Sequence, residues 1–318
     1  MTAQADTLPA EAPAGRPSLD PLFKFASVGA ATLLLAALGG VLVSLAIGGW
    51  PAFQKFGLGF LFDTTWNPVT EVYGGAGPIV GTIVTALLSL LIALPLAWGV
   101  AIFLTEFCPK PLAEPIGAAV QLLAGVPSII FGMWGLFVLA PWFAMHVQLP
   151  LIMAAPPGSL LEKVIAGAPN GANVFTASLI LALMILPYIS SVSRELFLTV
   201  PPQMKEAAYG LGCTPLEVIS RVIMPYVRQG LVGVTMLGLG RAMGETMAVT
   251  FIIGNSHDLP KSLFASSSTI ASTIANEFAE ASTPMHSAAL LALGLVLFAM
   301  TFTVLAIARA LLATQRQA

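Results

Sequence analysis

Arg241 and Glu245 are the residues of this sequence whose types and spacing first suggest chemistry. They stand in the stretch GLGRAMGETMAVTFIIGN, residues 238 to 255, whose other members are almost all apolar or small. A charged side chain at the centre of a bilayer costs roughly 2.5 to 3.5 kcal/mol on insertion scales, so it is expected to face an interior path or a partner. On a continuous helix, residues four apart share a face, and these two would partly neutralise each other.

An arginine in that setting predicts a path for an anion. Its planar guanidinium matches the oxygens of phosphate and carboxylate groups, and a neighbouring glutamate would oppose tight binding, which suits a site that must release its ligand. We assign Thr246 and Asn255 to the same predicted path. The alternative is that Arg241 and Glu245 only hold helices together, although a buried ion pair is often no more stabilising than an apolar pair of the same volume.

The elements that carry these residues are predicted to be membrane-spanning helices. The 318 residues are 57% hydrophobic and 9% charged, whereas soluble domains have about 25% charged residues. Crossing a hydrocarbon core takes roughly 20 apolar residues. Six runs reach that length: 25 to 48, 78 to 104, 116 to 141, 173 to 193, 230 to 254 and 286 to 310. The composition therefore predicts an all-α integral membrane protein with six transmembrane helices.

Lysines and arginines predict the orientation of the chain. If the N-terminus is inside, nine of these residues fall in cytoplasmic segments and three, Lys55, Lys163 and Lys261, fall in outer loops. Cytoplasmic loops retain the excess of positive charge. Both termini are therefore predicted to be cytoplasmic.

The residues that commonly perform catalysis do not form a recognisable set. His146, His257 and His286 lack the spacing of metal ligands and are predicted to be solvated or interfacial. The sequence contains neither a GxSxG elbow nor a GxxxxGK[ST] phosphate loop. We therefore predict a protein that is not an enzyme, that holds no metal or cofactor, and that has membrane lipid but no nucleic acid as a partner.

The loop between the fourth and fifth predicted crossings has the pattern of two short helices. Pro201 and Pro202 open the first helix, because proline is tolerated in a first turn, and Gly210 and Gly212 predict its end.

Thr214 predicts the start of the second helix, since Pro215 follows at the first helical position and Glu217 completes a capping box. Pro225 is predicted to end or kink this helix. An apolar stripe at i, i+3 and i+7 is available to a partner or to the membrane surface: Leu216, Ile219 and Ile223.

The motif in this loop resembles the EAA loop of ABC importer permeases. Glu206, Ala207 and Ala208 are followed by Gly212, and Val222-Ile223-Met224-Pro225 stands where the family usually ends in Ile-x-Leu-Pro. The resemblance implies that the loop docks a cytoplasmic ATPase, with coupling residues at Glu206, Ala207, Ala208, Gly212, Thr214, Leu216 and Ile219.

Longer segments narrow the resemblance to the C-type membrane subunit of phosphate-specific ABC importers. RAMGETMAV is the most specific of these segments, and the similarity extends over nearly everything from residue 20 onward. The resemblance implies a type I ABC importer permease fold in the bacterial cytoplasmic membrane, with inorganic phosphate as substrate. It also implies a second permease subunit as heterodimer partner, two copies of an ATPase and an extracytoplasmic phosphate-binding protein. Arg241 and Glu245 match the family's charged pair.

The domain organisation follows from these patterns. It comprises a disordered tail at 1 to 24, an anchor helix at 25 to 48, an outer loop at 49 to 77, a permease core at 78 to 310 containing the EAA loop at 198 to 229, and a tail at 311 to 318.

Two other functions stay open at this point. One arginine does not identify its anion, so the substrate could be another oxyanion or a phosphorylated metabolite. An ion-coupled secondary transporter with Glu245 as proton carrier is the alternative from a different class, and it leaves the EAA loop unexplained.

Overall fold

Long apolar helices make up most of residues 20 to 314, the part of the chain that this computed structural model describes; side chains are described from residue 23 to residue 310. Six helical segments are long and apolar enough to cross a membrane: Phe23–Leu61, Ala76–Phe107, Ser128–Ala154, Val174–Leu198, Pro215–Met243 and Pro284–Ala310. The predicted all-α fold with six crossings is confirmed. Of the described residues, those from 20 to 44 belong to a unit of their own, and the packing described below lies within residues 45 to 314.

The first crossing and the hairpin after it precede the core of the bundle. Helix α1 (Asp20–Phe56) ends in a 3-10 turn at Gly57–Leu61. Two short antiparallel strands follow, β1 (Trp66–Asn67) and β2 (Val72–Tyr73), with Trp66 opposite Tyr73.

Several predicted boundaries differ at the two ends of the chain. The predicted disordered tail is wrong for residues 20 to 24, because Asp20 and Pro21 begin α1 with proline in its first turn. The predicted outer loop at 49 to 77 contains the last turns of α1, the hairpin and the first residues of the next helix. Residues 1 to 19 and 315 to 318 of the two predicted tails lie outside the described residues.

The second and third crossings are separated by an extra helix. The second crossing is α2 (Ala76–Ile102) with a π turn at Phe103–Phe107, and the extra helix is α3 (Lys110–Ala124). The third crossing consists of α4 (Ser128–Trp134), α5 (Ala140–Phe143) and α6 (Leu149–Ala154), with π turns at Gly135–Leu139 and Ala144–Gln148 between them.

The predicted third crossing at 116 to 141 is therefore wrong. Its apolar run is continuous in hydropathy, but α3 ends at Ala124 and a new helix starts at Ser128. Pro127 causes the break, because proline disfavours the helical conformation in the residue before it.

Helix α8 (Val174–Leu198), the fourth crossing, forms the buried centre of the bundle and follows the short α7 (Leu160–Ile165). Its fully buried Ile180 and Leu181 belong to the same apolar cluster as Ala86, Ala93 and Ala97 of α2. Small residues let two membrane helices approach closely, and this close packing is a main source of helix association in lipid.

The last part of the chain contains the predicted EAA loop and the predicted anion path. Its elements are α9 (Pro202–Gly210), α10 (Pro215–Val218), a π turn (Ile219–Ile223), α11 (Met224–Met243), α12 (Met247–Thr250), α13 (Ile270–Glu277) and α14 (Pro284–Thr314). From Pro215 to Met243 the chain is one continuous helix, the fifth crossing. The predicted crossing at 230 to 254 is therefore wrong at both ends.

The segment between α12 and α13 passes directly over α2 at two glycines. A Cβ atom on Gly77 would meet the carbonyl of His257, and one on Gly81 would meet the carbonyl of Ser268. The hydroxyl of Thr82 accepts a hydrogen bond from the backbone N–H of Ile270 at 2.9 Å. Glycine is required here because the backbone of the crossing segment occupies the side-chain position.

We expect Gly81→Ala to lower the unfolding temperature of the detergent-solubilised protein, because overpacking of a tight contact costs about 1 to 3 kcal/mol. Gly99→Ala is the matched control, since nothing lies within 4 Å of its added Cβ on the same helix. Scanning fluorimetry of the two variants measures the difference. Equal unfolding temperatures would contradict the close approach.

Candidate functional site

Arg241 and Glu245 lie on opposite sides of a helix break. Arg241 is in the last turn of α11, and Gly244 caps that helix. Glu245 lies outside the helix, and its carboxylate accepts a hydrogen bond from the N–H of Ala248 at 3.3 Å. Glycine favours the break because it loses more conformational entropy in a helix than other residues do.

The predicted mutual neutralisation of the two charges is therefore wrong. Among the described residues, neither a hydrogen bond nor an ion pair joins Arg241 to Glu245. The two residues would share a helix face only if the helix continued through residue 245, whereas α11 ends at Met243.

Arg241 is exposed in this single chain and lies against an aromatic ring. Its guanidinium carbon is 5.8 Å from the ring centroid of Tyr188 on α8, within the range of a cation–π contact. Gly233 and Gly240 have no atom within 4 Å of an added Cβ, and Leu237 is 51% exposed. These residues recur at helical spacing, so one face of α11 is open and carries the arginine.

Thr246 and Asn255 contribute to the turns around α12. The Thr246 hydroxyl donates to the carbonyl of Gly244 at 3.4 Å, beside the break. Asn255 has a positive φ of 51° and donates its side-chain N–H to the carbonyl of Thr250 at 2.9 Å. Thr246 thus adjoins Glu245, whereas Asn255 closes the turn that leaves α12.

The start of the EAA loop has the predicted local geometry. Pro202 is the first residue of α9, and Gly212 takes the left-handed conformation with φ 87°. Thr214 and Glu217 form both hydrogen bonds of the capping box. Local sequence patterns suffice here because each interaction spans only a few residues.

The second predicted coupling helix is not a separate element. Its residues continue into the fifth crossing, and Pro225 neither ends nor interrupts the helix. A π turn at Ile219–Ile223 comes just before this proline. Pro225 is tolerated because it lies in the first helical turn after the π turn, where its missing N–H is least costly.

The predicted docking residues divide into an exposed set and a buried set. Ala208 and Ile219 are only 8% and 7% exposed and pack with Phe197 and Ile223 inside the chain. The predicted apolar stripe is therefore wrong, because Leu216 is 73% exposed while the other two members are buried. The exposed set comprises Glu206, Ala207, Gly212, Thr214 and Leu216, and Leu211, missed in the sequence, adds a side chain that is 86% exposed.

An ion pair fixes the EAA loop to the second crossing. The Nζ atom of Lys205 on α9 lies 2.6 Å from a carboxylate oxygen of Glu106 in the π turn that ends α2, and both side chains are mostly buried. The two residues are 99 positions apart, so no local pattern could have indicated the pair.

A second polar cluster lies around the carboxylate of Glu277. His257 Nε2 is 2.7 Å from one carboxylate oxygen, and His286 Nε2 is 2.8 Å from the other. The indole N–H of Trp66 donates to the same carboxylate at 2.8 Å. The prediction that these two histidines are solvated or interfacial is wrong for His286, which is 5% exposed.

Aromatic stacking completes this cluster, which we call the Glu277 cluster (Trp66, Tyr73, His257, Glu277 and His286). The Trp66 ring stacks on His257 at 5.2 Å, and the Tyr73 ring stacks on His286 at 5.3 Å between centroids. The cluster joins the β-hairpin, the segment before α13, α13 itself and α14.

The charge of Glu277 is stabilised by its neighbours. Burial alone would raise the pKa of its carboxyl group, but the hydrogen bonds from His257, His286 and Trp66 together outweigh burial and lower the pKa below its ordinary value of 4.5. The ionised form therefore contributes stability that is present above pH 4.5 and is lost as the pH falls through the lowered pKa.

The sequence matches a family of membrane transport proteins. Residues 73 to 317 match the family described as "Binding-protein-dependent transport system inner membrane component". A phosphate transport system permease protein, PstC, from Mesorhizobium japonicum is 54% identical over 92% of this chain and 90% of its own length. PstC from Haemophilus influenzae is 51% identical over 94% of this chain and 95% of its own length.

Solved structures of ABC transporters have the same fold. A chain of the inward-facing MetNI methionine ABC transporter superposes with a TM-score of 0.54 at 15% identity and covers 77% of this chain and 99% of its own length. A chain of a bacterial alginate ABC transporter also gives 0.54, at 14% identity, covering 89% of this chain and 95% of its own length. The predicted ABC importer permease fold is confirmed.

We expect Glu277→Gln to lower the unfolding temperature at neutral pH, because hydrogen bonds to a charged group contribute about 1.5 to 3 kcal/mol. The difference from the unchanged protein should shrink as the pH falls below 4.5, where the carboxyl group of the unchanged protein also becomes protonated. Scanning fluorimetry between pH 7 and pH 3.5 measures it. Glu280→Gln, at an exposed position, is the control, and a pH-independent difference would contradict the assignment.

Proposed function

This chain belongs to the family of binding-protein-dependent transport system inner membrane components, and from that membership we propose that it is the permease subunit of an ATP-driven importer of inorganic phosphate. The assignment of phosphate as the substrate is supported by the 54% identity, over 92% of the chain, to a phosphate transport system permease protein. The low-identity structural neighbours support the fold alone. ATP hydrolysis is the task of a separate ATPase subunit.

Arg241 is the residue that we assign to phosphate. Two features support this role: its guanidinium is exposed, and no carboxylate neutralises it among the described residues. Planar N–H donors of arginine match phosphate oxygens in bidentate geometry. Contact with Tyr188 limits the movement of the side chain. Phosphate would therefore meet a positioned cation at the end of α11.

Glu245 and Thr246 have a supporting role in this proposal. The carboxylate of Glu245 accepts from the first turn of α12, and the Thr246 hydroxyl bonds beside it, so both stabilise the break that separates Glu245 from Arg241. Asn255 stabilises the turn on the far side of α12. In this proposal Glu245, Thr246 and Asn255 shape the anion path.

A second phosphate permease subunit is the partner that we assign to the open face of α11. Glycines at 233 and 240 leave room for another helix, and close approach through small residues is typical of helix association in membranes. A heterodimer would enclose Arg241 between two subunits and exclude lipid from the path. An extracytoplasmic phosphate-binding protein delivers the anion to the outer side.

The EAA loop is the surface that we assign to a cytoplasmic ATPase subunit, of which the whole complex contains two copies, with both termini of this chain on the same side of the membrane. Leu211 and Leu216 are the most exposed apolar side chains of the loop, and exposed apolar residues on a polar surface often mark a protein contact. The buried pair of Lys205 and Glu106 connects this surface to α2. Movement of the loop would then move the second crossing.

We expect Arg241→Gln to reduce ATP-dependent phosphate uptake by proteoliposomes at least roughly tenfold, because hydrogen bonds to charged groups contribute about 1.5 to 3 kcal/mol. The liposomes contain this chain with its partner subunits, and sulfate and molybdate serve as competitors. Arg309→Gln removes an exposed arginine elsewhere and is the control. Unchanged uptake would remove Arg241 from the path, and competition by sulfate as strong as by phosphate would favour a different oxyanion.

We expect Leu216→Asp to weaken docking of the ATPase, because it places a charge on an apolar contact. The amount of ATPase that co-purifies and the stimulation of its activity by the permease should both fall at least roughly tenfold, as expected for loss of a buried interface anchor. Gln203→Glu adds one negative charge at another exposed position of the loop. Equal co-purification for the two variants would exclude Leu216 from the interface.

A further inference from the structure

Helix α9 of the EAA loop is attached to the rest of the chain along one face. Within α9, whose residues are all described, Ala208 is the only buried residue. It belongs to the same apolar cluster as Phe197 of α8 and Ala101 of α2. Lys205 comes three residues earlier and so lies on the same face, where its Nζ atom is 2.6 Å from a carboxylate oxygen of Glu106. An apolar contact and an ion pair on this face therefore hold α9 against the bundle.

The ion pair is not explained by stability alone. The side chains of Lys205 and Glu106 are 20% and 10% exposed, and neither has another ion-pair partner among the described residues. Loss of one member would leave a charge without its partner in a mostly buried place, which is destabilising, whereas an apolar pair of the same volume is often as stable as the ion pair. Two charges at this position therefore suggest a function that apolar side chains would not perform.

The ion pair differs from the Ala208 contact in its response to a pull. Apolar burial is non-directional, so two small apolar surfaces can slide along each other. A charge-assisted hydrogen bond has a preferred distance and angle, so its two partners move together. A displacement of α9 would therefore reach Glu106 through Lys205.

Glu106 lies at one end of a long helical segment. The segment runs without a break from Ala76 to Phe107, and its last five residues, Phe103–Phe107, form the π turn. Single π turns within helices are frequent at functional sites. At 1.5 Å per residue, residues 77 to 106 extend over roughly 40 Å. The ion pair thus joins α9 to a helix that extends through the bundle.

The other end of α2 lies in close contact with the segment between α12 and α13. A Cβ atom added to Gly77 would meet the carbonyl of His257, and one added to Gly81 would meet the carbonyl of Ser268. Close-packed protein interiors have low compressibility and transmit strain. A displacement of α2 would therefore displace this segment as well.

We propose that Lys205 and Glu106 are positioning residues that couple movement of the EAA loop to α2 and, through α2, to the segment between α12 and α13. The proposal rests on the proposed function in taking a docked ATPase as the source of the movement, but it does not depend on which substrate is carried. Without the ion pair, the ATPase still docks on the exposed residues of the loop, but its nucleotide cycle no longer moves the distant segment.

The test measures nucleotide-driven movement at Leu259 in the complex of this chain with its partner subunits. Leu259 lies in the segment between α12 and α13 and is 37% exposed. Leu259→Cys is introduced into a background in which Cys108→Ala and Cys213→Ala remove the two native thiols. The rate at which a maleimide labels this chain in proteoliposomes is then measured with and without vanadate trapping of the ATPase.

The ion pair is removed in this background by the double variant Glu106→Leu/Lys205→Met. This variant leaves no buried charge without a partner, and an apolar pair is often tolerated in place of a buried ion pair. The matched control is Glu114→Leu/Lys110→Met, which makes the same two changes at exposed positions of α3. Lys205→Met alone should give the same loss as the double variant, because either change breaks the link, and it decides the test if the double variant does not assemble.

We expect vanadate trapping to change the labelling rate of the control at least roughly fivefold, the low end of typical coupling between sites, and that of the double variant by less than about twofold. The amount of ATPase that co-purifies should be equal, because neither residue belongs to the exposed docking set. Equal responses in the two proteins, or no response with the ion pair intact, would overturn the proposal. A lower unfolding temperature with an unchanged response would mean that the pair only stabilises the loop.

ATP-dependent phosphate uptake by the same liposomes tests the proposed function separately. If the control shows the labelling response but no phosphate uptake, import of phosphate is contradicted and the coupling through Lys205 and Glu106 is still supported. If the control takes up phosphate and the double variant keeps the full labelling response, the proposed function stands and the coupling proposal is overturned.

Discussion

The helix break at Gly244 is the constraint on which the arrangement of the candidate site depends. A backbone that leaves the helix inside an apolar run must satisfy its polar groups within the protein, and here the carboxylate of Glu245 and the turns around α12 do so. The buried Ala248 and Val249 of α12 pack into the core around α8. The Glu245 carboxylate is bonded at the break and forms no ion pair with Arg241 at the end of α11 among the described residues.

Two polar interactions far apart in the sequence secure the rest of the bundle. The Glu277 cluster joins the β-hairpin to α13 and α14, and Lys205 joins the EAA loop to α2 through Glu106. Both use a carboxylate that is largely removed from solvent, where hydrogen bonds are stronger and a missing partner is costly. Helix α2 contacts the regions of both interactions. Its Gly77 and Gly81 lie beneath the segment that carries His257, and Glu106, in the π turn at its end, pairs with Lys205.

Sequence patterns predict those features that short-range physics determines. Six crossings follow from hydropathy because bilayer thickness fixes helix length, and the capping box at Thr214 spans only four residues. Hydropathy fails at Pro127 and Gly244, where a helix ends inside an apolar run. Contacts between distant residues leave no periodic signal, so the histidines on Glu277 and the burial of Ile219 could not be predicted. The EAA motif indicated the docking loop but not which of its residues are exposed.

The separation of Arg241 from Glu245 is tested most directly by a double-mutant cycle on stability. Arg241→Gln, Glu245→Gln and the double variant of the assembled complex are compared by their unfolding free energies or, where unfolding is irreversible, by their unfolding temperatures. Without a direct interaction the two effects should add within about 0.5 kcal/mol. A coupling well above that value would mean that the two charges form an ion pair, and the account of a free arginine at the helix break would be wrong.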